Sequence, residues 1–381
     1  MPRATKLTIG FVFDDSLDKP DGVQQYILTV GKWLQAQGHT VHYLVGATTR
    51  VDIPNVHSLS RNVCVAFNGN RMSVPLPADT AAIKHLLDQK KFDVLHVQMP
   101  YSPWLAGRII SAAPESTAIV GTFHIAPYSS LVSAATKALA VWARRTTARF
   151  DAILSVSSAA QVYAAQTFKI SSDILPNVID YQRFSGARQV PHKKLRILFL
   201  GRLVERKGCQ YLLQALTILE SSGRPLPDYE VVIGGRGGLS DELKSYVAAH
   251  DLTSKVSFLG FVDEADKPAL YASADISVFP STGGESFGIV LIEAMASGAS
   301  AVLCADNPGY HSVMQSNPDL LFATKSAKAL ADKLYTYLSS SEVRTAAQVW
   351  AQREARQYDV AIVGAQLVGR YNQALHSRRQ S

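Results

Sequence analysis

The stretch Ile276-Ser277-Val278-Phe279-Pro280, followed by Gly283-Gly284-Glu285-Ser286-Phe287-Gly288-Ile289-Val290-Leu291-Ile292-Glu293-Ala294-Met295-Ala296-Ser297-Gly298 and then Ser300-Ala301-Val302-Leu303, decides the fold. A short β-branched run leads through glycines into an apolar segment of helical length, and a second β-rich run follows. That is one strand, crossover helix and parallel strand. The spacing predicts a helix from Ser286 onward, with Glu285 on the turn and Glu293 two turns on, near the same helix face. Unpaired amides at such a helix start favour a phosphate. A carboxylate on the turn suits sugar hydroxyls better than a phosphate, and an ordinary acidic helix start is the plain alternative.

The same alternation extends in both directions. In the first half, strands are expected at 7–13, 40–45, 63–67, 94–97, 118–123, 152–156 and 173–175, with a helix at 22–37 that Gly38 ends. After a polar, basic joint at 185–194, a second series follows at 195–200, 230–234, 256–258, 276–279 and 300–303. The expected architecture is therefore α/β with two doubly wound, Rossmann-like domains, 1–185 and 186–359, facing across a cleft. A helix at 360–381 is expected to pack back on the first. Ligands of such sheets bind beyond the strand C-termini.

Length and composition agree. The chain has 381 residues, 47% hydrophobic and 18% charged, enough apolar material for two cores and far from a disulfide scaffold or a disordered chain. Its three cysteines, Cys64, Cys209 and Cys304, have no metal or disulfide spacing, so a cytoplasmic protein is expected. The apolar run 7–13 is broken by Asp14 and Asp15 and reads as a buried strand, not a signal peptide. The net charge of +7 lies wholly in residues 101–200, which hold 11 basic and 4 acidic residues. A charge confined to one window argues for a local basic surface and against a nucleic-acid partner.

Within that window, 130–150 reads as a helix with Lys137, Arg144, Arg145 and Arg149 on one arc and Val132, Leu139, Trp142 and Phe150 on another. A basic amphipathic helix suits an anionic membrane surface, so peripheral contact at the inner membrane face is expected. A surface helix packed on its own sheet is the competing reading.

Two further elements carry chemistry. Gly201-Arg202-Leu203-Val204-Glu205-Arg206-Lys207-Gly208 sets Arg202 and Lys207 just past a strand, where both can converge on a diphosphate. Gly22 lies between the first strand and first helix, and His124 follows the strand 118–123. No G-x-G-x-x-G follows the first strand, which disfavours a dehydrogenase.

Together these elements resemble glycosyltransferase family 4 of the GT-B architecture, and within it the phosphatidylinositol mannosyltransferases. The resemblance runs through Gly22-Val23-Gln24, Phe92-Asp93-Val94-Leu95-His96, Thr122-Phe123-His124, Leu175-Pro176-Asn177-Val178, Leu200-Gly201-Arg202, Arg206-Lys207-Gly208, Phe258-Leu259-Gly260 and the Glu285 to Glu293 pair. It implies a retaining hexosyltransferase that takes a sugar nucleotide, with GDP-mannose favoured, passes the sugar to a lipid or glycan acceptor, and requires no cofactor and no metal. A UDP-sugar-dependent relative and a non-catalytic sugar-nucleotide binder are the alternatives.

Carried over by position, the resemblance gives Arg202 and Lys207 the donor diphosphate and Glu285 the transferred sugar. Ser286, Phe287, Gly288 and Ile289 would hold the phosphate through their amides, and Glu293 the ribose. Gly260, Val262 and Lys267 would lie near the base. His124 would contact the sugar, and Gly22 would let its loop approach the diphosphate. On the acceptor side Gln24 matches the family, while Asp15, Tyr101 and Ser129 stand where the family carries other acceptor-contacting residues.

Overall fold

The structure, a computed structural model, describes residues 6–18, 21–67, 70–75, 78–125, 143–189 and 192–380. Ser129, Lys137 and most of the expected 130–150 helix lie outside the described residues. The chain divides into two compact units: residues up to Val178 together with those from Val360 onward, and Ile179–Asp359. The changeover lies upstream of the polar joint at 185–194. Leu175 and Val178 are buried in the first unit's core, whereas the Ile179 amide donates to the Tyr358 carbonyl at 3.0 Å and Ile179 bridges Asp359. Packing, and not polarity, sets the boundary.

The first unit contains β1 (Thr8–Phe13), β2 (Thr40–Val45), β3 (Val56–Ser58), β4 (Asn62–Phe67), β5 (Asn70–Pro75), β6 (Val94–Val97), β7 (Ala118–Phe123), β8 (Ala152–Ser155) and β9 (Asp173–Ile174). Seven of them form a parallel sheet in the order β3-β2-β1-β6-β7-β8-β9. β6 and β7 are buried along their whole length, as suits central parallel strands, and their polar residues His96 and Thr122 bond each other. The 63–67 segment, expected in the parallel series, instead pairs antiparallel with β5 as a separate hairpin.

The helix Gly22–Ala36 buries Tyr26, Ile27, Val30 and Leu34, one helical face, into this unit's core. The last helix, Val360–Gln380, adds Val363, Leu367, Tyr371 and Ala374 to the same core. The two helices approach closely at Gly364, where a Cβ would lie 2.6 Å from the Trp33 ring.

The second unit holds β10 (Leu195–Leu200), β11 (Tyr229–Gly234), β12 (Val256–Gly260), β13 (Ile276–Phe279), β14 (Ala301–Ala305) and β15 (Leu321–Phe322), parallel throughout in the order β12-β11-β10-β13-β14-β15. Each sheet has one point where its strand order reverses: between β1 and β6 in the first unit and between β10 and β13 in the second. Such reversals open a crevice beyond the strand C-termini. Among the described residues, no helix is long and apolar enough to cross a membrane.

Candidate active site

The second unit's reversal point is occupied by charge. After β10 the chain passes Arg202 and makes a tight turn at Glu205–Lys207; after β13 it runs through Ser281 to Gly288. These two segments meet at the Glu285 carboxylate. One oxygen, Oε1, receives Arg206 Nη1, Lys207 Nζ and Ser281 Oγ, each at 2.8 Å. Burial by itself would raise the Glu285 pKa, but the Lys207 and Arg206 cations outweigh it and hold the carboxyl at about 2. Lys207 is pushed down by burial, and the neighbouring Arg206 and Arg202 add to this, while Glu285 opposes it. Two cations thus hold the carboxylate, and Arg202 adds its charge beside Lys207. The excess positive charge suits a dianionic ligand such as a diphosphate.

The turn itself corrects the expected helix start. The helix runs Ile289–Ser297, not from Ser286, because Gly283, Gly284 and Gly288 have φ of 151°, 72° and 107°. Residues in that region cannot continue a right-handed helix, and a side chain at Gly288 would also strike the Tyr310 ring at 2.6 Å. Glu285 therefore sits on an extended loop and shares no helix face with Glu293. Phe287 anchors that loop by packing edge-on against Tyr358, with ring centroids 5.4 Å apart. Behind the loop, a Cβ on Gly309 would lie 2.1 Å from the Glu285 carbonyl oxygen, so glycine is needed there. Ser286 lies half-buried between Glu285 and Phe287, and Ile289 opens the helix.

Glu293 belongs to a different cluster. Only 3% exposed, it accepts from Tyr271 Oη at 3.2 Å and faces Lys267 Nζ at 3.6 Å. Lys267 pairs more closely with Glu264, at 2.6 Å. Burial raises the Glu293 pKa, Lys267 opposes this, and Glu264 adds to it. Gly260 ends β12 with φ 73°, and its carbonyl accepts from the Gly235 amide at 2.6 Å. Val262 lies beside Gly234, where an added Cβ would come within 3.0 Å of it. Arg202, Gly235 and Glu285 follow, and Gly260 forms, the C-terminal ends of four adjacent strands.

The first unit's reversal point is lined by buried side chains that hydrogen-bond one another. His124 is buried, and its Nε2 lies 2.8 Å from Gln98 Oε1. Gln98 Nε2 donates to the His96 carbonyl, which turns Oε1 toward the imidazole and places the His124 proton on Nε2. Burial lowers the His124 pKa to about 3, against a hydrogen bond to Asn177 that raises it. His96 is likewise buried, bonded through Nδ1 to Tyr371 Oη and through Nε2 to Thr122 Oγ1, both at 2.7 Å. Tyr26 lies edge-on to His124 at 5.0 Å, which ties that imidazole to the helix opened by Gly22.

The expected acceptor residues fare unevenly. Asp15 is half-buried and accepts from the Ser16 amide at 2.7 Å. Gln24 turns inward: its Oε1 accepts from the Asp21 amide at 2.9 Å and its Nε2 donates to the Ser16 carbonyl, so the side chain closes its own loop through a capping box. Tyr101 is 6% exposed, packed against Phe123 and Phe168 at 5.6 and 5.3 Å, and serves as part of an aromatic core. Gln24 and Tyr101 share one feature. Loop residues near a strand end are drawn into whatever lies beneath them.

The basic arc also changes. Arg149 pairs with Glu115 at 2.9 Å and donates to the Ala113 carbonyl at 3.1 Å. The described helical residues end at 147, and Phe150 packs on the core against Gly121. Arg144 and Arg145 are exposed.

Two groups went unassigned in the sequence. Arg206 was visible only as the neighbour of Lys207. Asp14, which marked the end of an apolar run, is 2% exposed; it accepts from Ser102 Oγ and, at 2.8 Å, from the Ala106 amide, tying the loop after β1 to the one after β6. Among the described residues, no group of three or more His, Cys, Asp or Glu could hold a metal ion.

The comparisons with known proteins agree with this geometry. The family described as "Glycosyltransferase Family 4" matches residues 20–183, and "Glycosyl transferases group 1" matches residues 180–354. A phosphatidyl-myo-inositol mannosyltransferase of Mycolicibacterium smegmatis is 33% identical over 372 residues, covering 96% of this chain and 93% of that protein. The chain belongs to glycosyltransferase family 4. Among solved structures, a glycosyltransferase from Rickettsia africae superposes with a TM-score of 0.76 at 18% identity, covering 97% of this chain and 99% of its own. Anabaena HepE, solved in complex with UDP and glucose, gives 0.72 at 18% identity over 95% and 98%. The family 4 chain thus has the GT-B fold, two parallel-sheet units of the Rossmann kind, and it is a glycosyltransferase.

Proposed function

We propose that this glycosyltransferase moves mannose from GDP-mannose to a phosphatidylinositol-type lipid with retention of anomeric configuration. The observation that carries the reading is the pair Arg206 and Lys207 on Glu285, with the Arg202 charge acting on Lys207, set in a chain one-third identical over nearly its whole length to a mannosyltransferase named for that acceptor. Arg202 and Lys207 hold the donor diphosphate and neutralise it as it leaves, so the reaction requires no metal. The Glu285 carboxylate accepts from a hydroxyl of the transferred sugar, the amides from Ser286 to Ile289 fix the phosphate, and Glu293 takes the ribose. His124 contacts the sugar as a neutral imidazole.

The acceptor oxygen attacks the anomeric carbon on the face the diphosphate leaves. The bond from that carbon to the phosphate oxygen breaks as the new glycosidic bond forms, and the acceptor proton passes to the departing phosphate oxygen. In this reading no enzyme carboxylate serves as nucleophile: Glu285, held by Arg206, Lys207 and Ser281, binds a sugar hydroxyl instead. Alignment supplies much of the acceleration.

The test is product analysis after incubation with GDP-mannose and phosphatidylinositol vesicles, with and without EDTA. An α-mannosylated lipid formed equally in both is expected. An inverted linkage, loss of activity with EDTA, or transfer only from UDP-glucose would overturn the corresponding part.

A further inference from the structure

We infer that Arg206 is a positioning residue that keeps Glu285 in register with the donor sugar while Lys207 transfers its charge to the diphosphate. This rests on the sugar-nucleotide reading above. Both cations reach the same carboxylate oxygen at 2.8 Å, yet their attachments differ. Arg206 binds both ends of the Ser281–Glu285 loop. Its guanidinium holds the Glu285 carboxylate, while its backbone carbonyl accepts from the Thr282 amide at 2.8 Å and from Ser281 Oγ at 3.0 Å. Ser281 Oγ also contacts the carboxylate, and the Ser281 carbonyl is held from behind by Asn307 Nδ2 at 3.1 Å. The loop is therefore built around Arg206.

Lys207 reaches Glu285 only through its ammonium, a point charge on a flexible stem. Its nearest electrostatic neighbours besides Glu285 are Arg206 and Arg202, both repulsive. A diphosphate arriving beside Arg202 offers that ammonium a stronger partner than a carboxylate it already shares with Arg206 and Ser281. The Arg206 backbone is pinned to the loop whose carboxylate its guanidinium holds, which keeps that side chain at Glu285, whereas Lys207 meets the carboxylate through its ammonium alone and can change partner. Glu285 then remains fixed, with its second oxygen available to a sugar hydroxyl.

The consequence is a split between two ligands that share the diphosphate and differ only in the sugar. Calorimetric titration of GDP and GDP-mannose against wild type, Arg206→Ala, Arg206→Lys and Lys207→Ala reads it directly. Arg206→Ala is expected to weaken GDP-mannose by about tenfold or more, the size expected for loss of a charge-assisted contact, while GDP shifts by no more than about twofold. Arg206→Lys should restore part of the loss, and Lys207→Ala should weaken both ligands together.

Parallel weakening of GDP and GDP-mannose in Arg206→Ala would make Arg206 a phosphate ligand and overturn the inference, as would no change in either. Thermal melting of each apo variant checks the fold, and Arg206→Lys carries the comparison where Arg206→Ala fails to fold. Should wild type bind UDP and UDP-glucose instead, the choice of donor falls and the same split is measured with that pair. A wild type that binds no sugar nucleotide removes both readings.

Discussion

The two sheets reverse their strand order in the same way and fill the resulting crevice with opposite chemistry. Between β10 and β13 lie Arg202, Arg206, Lys207 and Glu285, a cluster whose one carboxylate stays ionised down to about pH 2. Beside the β1–β6 reversal lie Asp14, Ser102 and Gln98, with His124 just past β7 bonded to Gln98; burial lowers the imidazole pKa to about 3 and raises the Asp14 pKa to about 6. One crevice is arranged around a ligand's charge, the other around hydrogen bonds of its own. A shared topology therefore places the sites, while local charge decides which ligand each can take.

The sharpest way to break that contrast is to remove one group from each crevice and compare donor turnover. Lys207→Ala deletes a cation proposed to act on developing leaving-group charge, and a rate loss of about 100- to 1,000-fold is expected. His124→Ala removes a neutral hydrogen-bonding group, and about tenfold is expected. Equal losses, measured as GDP release under saturating donor, would mean that charge does not distinguish the two crevices.

Acid should separate the units next. His96 and His124 have folded pKa values lowered to about 3 by burial, so the stability they contribute is present above the unfolded value of 6.5 and is lost as pH falls toward 3. Asp14 acts in the other direction. Its folded pKa is raised to about 6, so its contribution is full below 3.8 and is lost as pH rises through 6. At pH 5 the two histidines cost the first unit on the order of 4 kcal/mol and Asp14 returns on the order of 1. Glu285 in the second unit, with its pKa lowered to about 2, surrenders stability only between 4.5 and 2. Amide exchange at pH 5 against pH 7 should show protection falling across β1, β6 and β7 while β10 and β13 hold. Loss in the second unit first would contradict it.

Much of this was legible in the sequence, and the failures have physical reasons. β2, β6, β7, β10 and β13 fall where the apolar runs placed them, because strands buried on both faces need no partner to be recognised. The 63–67 strand was assigned to the wrong sheet although Asn68-Gly69, the strongest short hairpin signal, stands directly after it. The start of the Ile289–Ser297 helix was misplaced because an apolar period carries no record of backbone φ at Gly288. Asp14 and Arg206 escaped for a different reason. Asp14 meets Ser102 and Arg206 meets Glu285 across separations of 88 and 79 residues, and no local pattern reports a partner that distant. Gln24 shows the converse: a residue matched to a family position can have its side chain committed to the loop it sits in.

The smallest expected effect concerns the basic window, where the same distinction between engaged and unengaged charge applies. Arg149 is held by Glu115 and the Ala113 carbonyl and is one-quarter exposed, whereas Arg144 and Arg145 are exposed. An ion already neutralised by a neighbour adds little to the attraction of an anionic surface, while each unengaged surface cation contributes about 1 kcal/mol. Co-sedimentation with vesicles of phosphatidylglycerol and phosphatidylcholine should therefore weaken by about fivefold for Arg144→Ala or Arg145→Ala. Arg149→Ala should leave binding within about twofold of wild type and lower thermal stability instead, by breaking its contacts to Glu115 and Ala113. If Arg149→Ala weakened vesicle binding as much as the other two, the pairing with Glu115 would not hold at a membrane. If none of the three did, these three arginines would serve the fold of the first unit alone.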